Sequence, residues 1–253
     1  MRRLWYAFQD WLARRSKGKP LALPAPAGGD TRALHIEPLL MPRDRMMALR
    51  KQCRTQKTTV HGALGAAQLL ALAEELHGGE AGMDRLGSAI GMRERLDPPV
   101  TDREIGMYIS MVLTEHGVGP DATPWDLARD IKAQLEQRVT RGDGHLLWSS
   151  FPPASQFGDD DAGSQKLARL MQVVPIPSIV TNIGRVGPEA GEGPIKALHF
   201  TMAPQPGCAL VNAVCSYRGR LVANCTFDTR LVPAEGAARV VARMGEIIEQ
   251  MAG

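Results

Sequence analysis

The sequence predicts an α/β fold in which a mixed β-sheet packs against helices. Two observations support this prediction. Strand-like and long helix-like segments alternate from about residue 31 onward, and residues 233–251 carry apolar side chains at helical spacing on one face. Strands mixed with long helices favour layers of sheet and helix over a helical bundle or a β-sandwich. A chain of 253 residues can also bury a sizeable core.

Residues 1–28 are predicted to precede a main domain formed by residues 29–253. A basic amphipathic helix is expected over residues 2–17, and prolines and glycines predict a linker from Gly18 to Asp30. Packing of the helix on a neighbouring protein is the favoured interpretation, and a membrane-surface helix is the alternative. The apolar residues at helical spacing are Leu4, Trp5, Phe8, Trp11 and Leu12.

The first half of the main domain is predicted to alternate strand and helix. Thr58 or Thr59 can cap a helix that runs through Leu76 and ends at Gly78-Gly79, because a hydroxyl accepts free amide protons and glycine adopts the left-handed cap. The other elements expected here are a strand at Leu34–Leu40, a helix at Pro42–Arg54, a short buried strand at Ser88–Met92, a turn at Asp97–Pro99 and a strand at Tyr108–Glu115.

The second half is predicted to carry most of the sheet. Thr123 can cap a helix that has Pro124 at its first position and runs to about Val139. Arg218-Gly219 indicates a tight hairpin. The remaining expectations are an irregular connection at 142–164, a short helix near Gln165–Gln172, strands at Ser178–Ile183, Ala197–Met202, Ala209–Tyr217 and Leu221–Phe227, and a helix at Pro233–Met251.

Composition argues against several classes of function. A net charge of +3 is too small to indicate nucleic-acid binding. The four cysteines lack metal-ligand or C-x-x-C spacing, so we expect buried, reduced thiols and no metal site. The apolar stretch at 60–76 is too short and too polar to span a membrane, and the N-terminus lacks an apolar signal region. A cytoplasmic location is therefore expected.

Four segments occur in an order that matches a known family. They are Thr58–Ala67, Ile90–Val100 with an Arg before a Pro-containing turn, Ile105–Ser110 and Ser178–Gly184. Together they resemble the C-terminal subdomain of the chloramphenicol acetyltransferase-like superfamily of CoA-dependent acyltransferases. That superfamily includes nonribosomal peptide condensation domains, polyketide-associated acyltransferases and alcohol acetyltransferases. The resemblance implies that this chain is one chloramphenicol acetyltransferase-like half.

The catalytic motif of that superfamily, His-His-x-x-x-Asp-Gly, occurs nowhere in the sequence. No two of the six histidines are adjacent, so no residue here inherits the role of general base and no catalytic residue is predicted. In the superfamily the motif closes the N-terminal subdomain. The three explanations left open are a reading frame that starts at an internal Met, a split protein and a diverged stand-alone half.

The resemblance also implies site residues. The superfamily counterpart of Arg93 lies near the interface of the two subdomains, where a salt bridge that organises the interface is favoured over a catalytic role. Thr181 and Asn182 match positions near the substrate tunnel, and capping of a strand end is an equally good interpretation. His199, on an apolar segment, is expected to be a satisfied structural histidine.

The implied activity is transfer of an acyl group from a CoA or carrier-protein thioester to a hydroxyl or amine, with no cofactor bound. Without the motif, the chain alone is expected to be inactive. The expected partners are an N-terminal acyltransferase subdomain or a second copy of the chain, and an acyl carrier protein as donor. The alternative is a non-catalytic binding or scaffold protein that keeps the fold.

Overall fold

The computed structural model describes residues 21–26, 33–150, 153–172, 176–187 and 193–253. The predicted helix at 2–17 and most of the predicted linker lie outside these ranges. Within the linker, Leu21 donates its backbone N–H to the Met83 carbonyl (2.9 Å), and Leu21 and Leu23 pack against the core. The division of the chain at residues 28 and 29 stays a prediction.

The described residues form one mixed sheet of six strands in the order β1-β6-β5-β4-β2-β3. Strands β2, β4 and β5 run parallel to one another, and the other neighbouring pairs are antiparallel. The strands are β1 (Leu34–Met41), β2 (Gly82–Gly91), β3 (Ile109–Val118), β4 (Ser178–Val186), β5 (Leu210–Tyr217) and β6 (Arg220–Asp228). The predicted α/β class with a mixed sheet is confirmed.

The described residues also form six α-helices. They are α1 (Arg43–Thr55), α2 (Val60–His77), α3 (Pro124–Thr140), α4 (Asp143–Ser150), α5 (Asp161–Gln172) and α6 (Ala234–Ala252). The predicted caps are confirmed. The Thr59 side chain accepts a hydrogen bond from the Gly62 amide, and Gly78 ends α2 in the left-handed conformation. Thr123 caps α3, and Pro124 is the first residue of that helix. These signals are local, so the sequence predicts them well.

The core lies between the sheet and helices α1, α2, α3 and α6. Helix α2 is central, because every residue from Gly62 to Ala73 is buried. The predicted apolar face of α6 points into the same core. The hairpin prediction is also confirmed, since Arg218 and Gly219 both have positive φ angles (50° and 77°), as a type I′ turn requires.

Three expectations differ from the structure. Strand β2 begins at Gly82 rather than Ser88, because β3 pairs with it along its whole length and the Arg85–Glu115 ion pair (2.8 Å) joins the two strands. Residues 143–150 and 161–164 are helical, although an irregular connection was expected there. Gly142, with φ 88°, separates α3 from α4.

Residues 197–202 do not form the predicted strand. The segment lies over the face of β5 and β6, where side chains bond its carbonyl groups. The Cys215 thiol bonds the Leu198 carbonyl (3.2 Å), and the Asn224 amide donates to the Phe200 carbonyl (2.8 Å). A segment that crosses a sheet face cannot join the backbone ladder at the edge.

Candidate functional site

The predicted site residues lie toward the end of the sheet that contains the carboxyl ends of its parallel strands. Ser88 of β2 is in register with Val180 of β4, so Arg93 and Asn182 both lie near the carboxyl ends of neighbouring parallel strands. In open α/β sheets, ligands bind outside these ends. The sheet topology thus places residues that are far apart in the sequence toward the same end of the sheet. This carboxyl end is the candidate site.

Arg93 begins a short 3-10 turn after β2 and holds the following loop in place. Its guanidinium group donates to the carbonyl oxygens of Thr101 (2.5 Å) and Glu104 (2.9 Å) and lies 4.6 Å from the centre of the Tyr108 ring. A side-chain hydrogen bond from Thr101 keeps the pKa of the Glu104 carboxyl below its usual value. Arg93 therefore acts on the backbone of this loop, and its predicted place at an interface stays a prediction.

The loop that Arg93 holds presents apolar side chains to solvent. Ile105 is fully exposed (102%), and Met107 is 77% exposed. A β-carbon at Gly106 would lie 2.6 Å from the Tyr108 ring, so glycine permits the ring to pack closely on the loop. Large exposed apolar side chains on an ordered loop are typical of a surface that contacts another protein.

Sequence reasoning did not single out Ile105 and Met107 as contact residues. A signal was present, because Ile105, Met107 and Ile109 alternate with other residues as they would along one face of a strand. The structure shows why the pattern is misleading: only Ile109 belongs to β3, and the two preceding apolar residues project from the loop.

Thr181 and Asn182 are consecutive on β4 and therefore point to opposite faces of the sheet. Thr181 is buried in register with Ala213, on the face opposite the core helices, which it shares with Ile179. The side-chain oxygen of Asn182 accepts from the Gly184 amide (2.8 Å), where the register of β4 shifts. Asn182 thus shapes this part of β4, and of the two residues Thr181 lies on the face opposite the core helices.

His61, His116 and His199 each have a side-chain hydrogen-bond partner within the domain. His61 on α2 bonds the Ser88 hydroxyl (2.9 Å), and burial lowers the pKa of its imidazole to about 4. His116 bonds Asp130 and Thr114 (2.6 Å and 2.7 Å). His199 bonds Asn224 (3.1 Å), in agreement with the structural role expected for it. General-base catalysis of acyl transfer requires a base whose pKa lies near neutral pH.

The cysteines are free and buried, as expected from their spacing. Burial raises the pKa of the Cys53 thiol to about 11 and that of Cys225 to about 12, so neither is an activated nucleophile. Within the part of the chain that the structure describes, no three His, Cys, Asp or Glu side chains converge to hold a metal ion. None of the helices in the same ranges is long and apolar enough to cross a membrane.

A buried polar group also lies between the sheet and α2. Both side-chain polar atoms of Asn212 on β5 are buried without a hydrogen-bond partner, as is the Ser178 hydroxyl on β4. Nearby, the Gln68 amide donates to the Ile179 carbonyl (3.3 Å). Sequence reasoning missed this group, because Asn212 lies within an otherwise apolar strand and nothing local marks it.

Comparison with known proteins identifies the family. A family model described as phthiocerol/phthiodiolone dimycocerosyl transferase C-terminus matches residues 42–193, which is more than half of the chain. No curated protein sequence matches significantly.

Solved structures share the fold at low sequence identity. The epimerization domain from the third module of tyrocidine synthetase B is 12% identical, with a TM-score of 0.68 over 99% of this chain and 55% of that one. Trichothecene 15-O-acetyltransferase TRI3 from Fusarium sporotrichioides is 12% identical, with a TM-score of 0.68 over 98% of this chain and 52% of that one. Polyketide synthase associated protein 5 from Mycobacterium tuberculosis is 14% identical, with a TM-score of 0.56 over 86% and 53%. The chain spans about half the length of these structures.

Proposed function

This chain belongs to the family of phthiocerol/phthiodiolone dimycocerosyl transferase C-termini, and from this premise we propose that it forms the C-terminal subdomain of a condensation-type acyltransferase. Joined to an N-terminal subdomain, it would complete a tunnel in which an acyl group passes from a CoA or carrier-protein thioester to a hydroxyl or amine. The catalytic base would come from the partner subdomain, because this sequence has no His-His-x-x-x-Asp-Gly motif.

One observation carries the proposal. Arg93 orders a loop whose apolar side chains, Ile105 and Met107, face solvent at the carboxyl edge of the parallel strands. Ordering such a loop exposes apolar surface, which is unfavourable unless a partner covers it. An N-terminal subdomain that covers this loop would place the substrate channel beside the carboxyl ends of β2 and β4.

The roles of the chain's own residues follow from their positions. Arg93 would keep the interface loop in the shape that the partner recognises. Thr181 is the site residue on the face opposite the core helices, so its hydroxyl would line the tunnel and form a hydrogen bond with the substrate. Asn182 would keep the end of β4 in its bulged shape.

The interface is tested by co-expressing the chain with an N-terminal subdomain that carries the motif, taken from reading frames adjacent to its own gene. We expect co-purification, and Ile105→Asp should weaken it at least tenfold. Met47→Asp on α1 is the matched control, since Met47 is also exposed (58%) but lies on a helix, away from the loop. Equal loss of binding in both variants would contradict the assignment of the loop.

The activity is tested by measuring acyl transfer from a series of acyl-CoA donors to an alcohol acceptor. The chain alone should give no transfer above background, and the co-purified pair should be active. Thr181→Val should lower the activity of the pair while co-purification is unchanged. Transfer by the isolated chain would refute the proposed origin of the base.

The second candidate is a non-catalytic binding or scaffold protein with the same fold. Its support comes from the surroundings of the histidines: burial lowers the pKa of the His61 imidazole to about 4, and His116 and His199 bond Asp130 and Asn224 within the domain. A pair that co-purifies through the Ile105 loop but transfers no acyl group would support this candidate.

A further inference from the structure

An apolar cavity lies at the hairpin end of β5 and β6, and its lining comes from β1, β5, β6 and residues 196 and 197. Its volume is about 300 Å³, and its walls include Leu40, Tyr217 and Val222. Leu40 is in register with Val222, and Tyr217 with Arg220, so all four side chains project from the same face of the sheet. This face is opposite the one on which α1, α2, α3 and α6 form the core, and residues 196 and 197 also line the cavity.

Two cations line the cavity with these apolar walls. Lys196 and Arg220 are exposed residues that border it, and no acidic residue lines it. Neither head group has a hydrogen bond or ion pair within the described ranges. By contrast, Arg218 in the adjoining hairpin already donates to the Gly193 carbonyl (3.4 Å). The cavity therefore combines an apolar interior with two positive charges that nothing in its lining neutralises.

We propose that this cavity binds a single alkyl chain that ends in one anionic head group, a carboxylate or a phosphate. The chain would lie against Leu40, Tyr217 and Val222, where it removes apolar surface from water. The head group would lie at the mouth between Lys196 and Arg220, which attract it from two sides. A neutral or cationic head group gains nothing from these two residues.

The volume limits the size of the ligand. Small-molecule pockets range from about 300 to 1,000 Å³, so this cavity, at about 300 Å³, suits one chain of medium length and excludes the bulk of a nucleotide. The inference goes beyond the transferase proposal and does not depend on it, because neither the Arg93 loop nor Thr181 lines the cavity. Binding is a property of this chain alone.

The test is calorimetric titration of the full chain with three probes of equal chain length, each below the concentration at which it forms micelles. Decanoate and monodecyl phosphate should bind at one site, and decyltrimethylammonium should bind at least fivefold more weakly. Whichever anion binds more tightly identifies the head group. Equal binding of the cationic probe, or no saturable binding of either anion, would overturn the proposal.

Variants locate the site. Lys196→Ala and Arg220→Ala should each weaken decanoate binding about two- to fivefold, as expected for exposed charge pairs, and together by the product of the two effects. Arg169→Ala on α5 is the control and should bind like the unmodified chain. Val222→Trp should fill the cavity and abolish binding. If Val222→Trp unfolds the protein, the double charge variant decides, and its unchanged affinity would refute the site.

Discussion

Replacing Arg93 with alanine removes the connection between the end of β2 and the exposed loop. Two hydrogen bonds to the Thr101 and Glu104 carbonyls are lost, together with the contact to the Tyr108 ring. Hydrogen bonds from charged donors contribute about 1.5–3 kcal/mol when shielded and much less when exposed. Because Arg93 is only half-buried, we expect a total loss of about 1–2 kcal/mol, or roughly 2–8 °C in Tm for a domain of this size.

The matched control is Arg95→Ala. Arg95 lies in the same 3-10 turn, is exposed and makes one long hydrogen bond to the Gly91 carbonyl (3.1 Å). We expect its loss to change the free energy of unfolding by less than about 0.5 kcal/mol. Urea unfolding followed by circular dichroism gives both values. Trypsin cleavage after Arg103 provides a local measurement, since Arg93→Ala should accelerate it. Equal unfolding midpoints and equal cleavage rates in the two variants would refute the role of Arg93.

Four further predictions concern burial and charge. Asn212→Leu should raise the free energy of unfolding in urea by about 1–2 kcal/mol, because it replaces a buried amide that has no hydrogen-bond partner among the described residues; a lower free energy would contradict this. Burial lowers the pKa of His61 in the folded protein from 6.5 to about 4, so its contribution to stability is lost as the pH falls from 6.5 to 4. His61→Gln should therefore make the free energy of unfolding less dependent on pH in this range. Burial raises the pKa of Asp84 in the folded protein from 3.8 to about 7. Its contribution to stability is therefore present below pH 3.8 and lost as the pH rises to 7. Asp84→Asn should be more stable than the unmodified chain at pH 8 but not at pH 3.5. Leu21→Ala and Leu23→Ala together should lower the Tm, because both leucines pack against the core; an unchanged Tm would contradict this.

Local signals were sufficient for most of the elements. Caps and turns depend on residues that are close in the sequence, so they can be predicted without knowledge of the fold. Examples are the hydroxyls of Thr59 and Thr123, the glycine after a helix and the Arg218-Gly219 turn. The apolar face of α6 is legible for the same reason, because helical spacing is a property of the segment itself. The resemblance that the family match bears out depended on four short segments in order, at residues 58–67, 90–100, 105–110 and 178–184.

The full length of β2 and the conformation of residues 197–202 depend on contacts with segments that are distant in the sequence. Asp84 and Arg85 give β2 a polar, loop-like start, yet pairing with β3 stabilises it as a strand. Residues 197–202 have the apolar pattern of a strand but lie over a sheet face, where no free backbone ladder is available. Strand pairing joins distant segments, so the pattern of a single segment does not determine it.

The sequence by itself determined the α/β class, the helix ends, the hairpin and the absence of the catalytic motif from these 253 residues. Only the tertiary structure decided that Arg93 and Asn182 share one edge, that Thr181 and Asn182 face opposite ways, and that Ile105 is uncovered. The physical reason is that caps and turns are satisfied by neighbours in sequence. The site and the cavity arise where parallel strands and a crossing loop bring side chains together that are remote in the sequence.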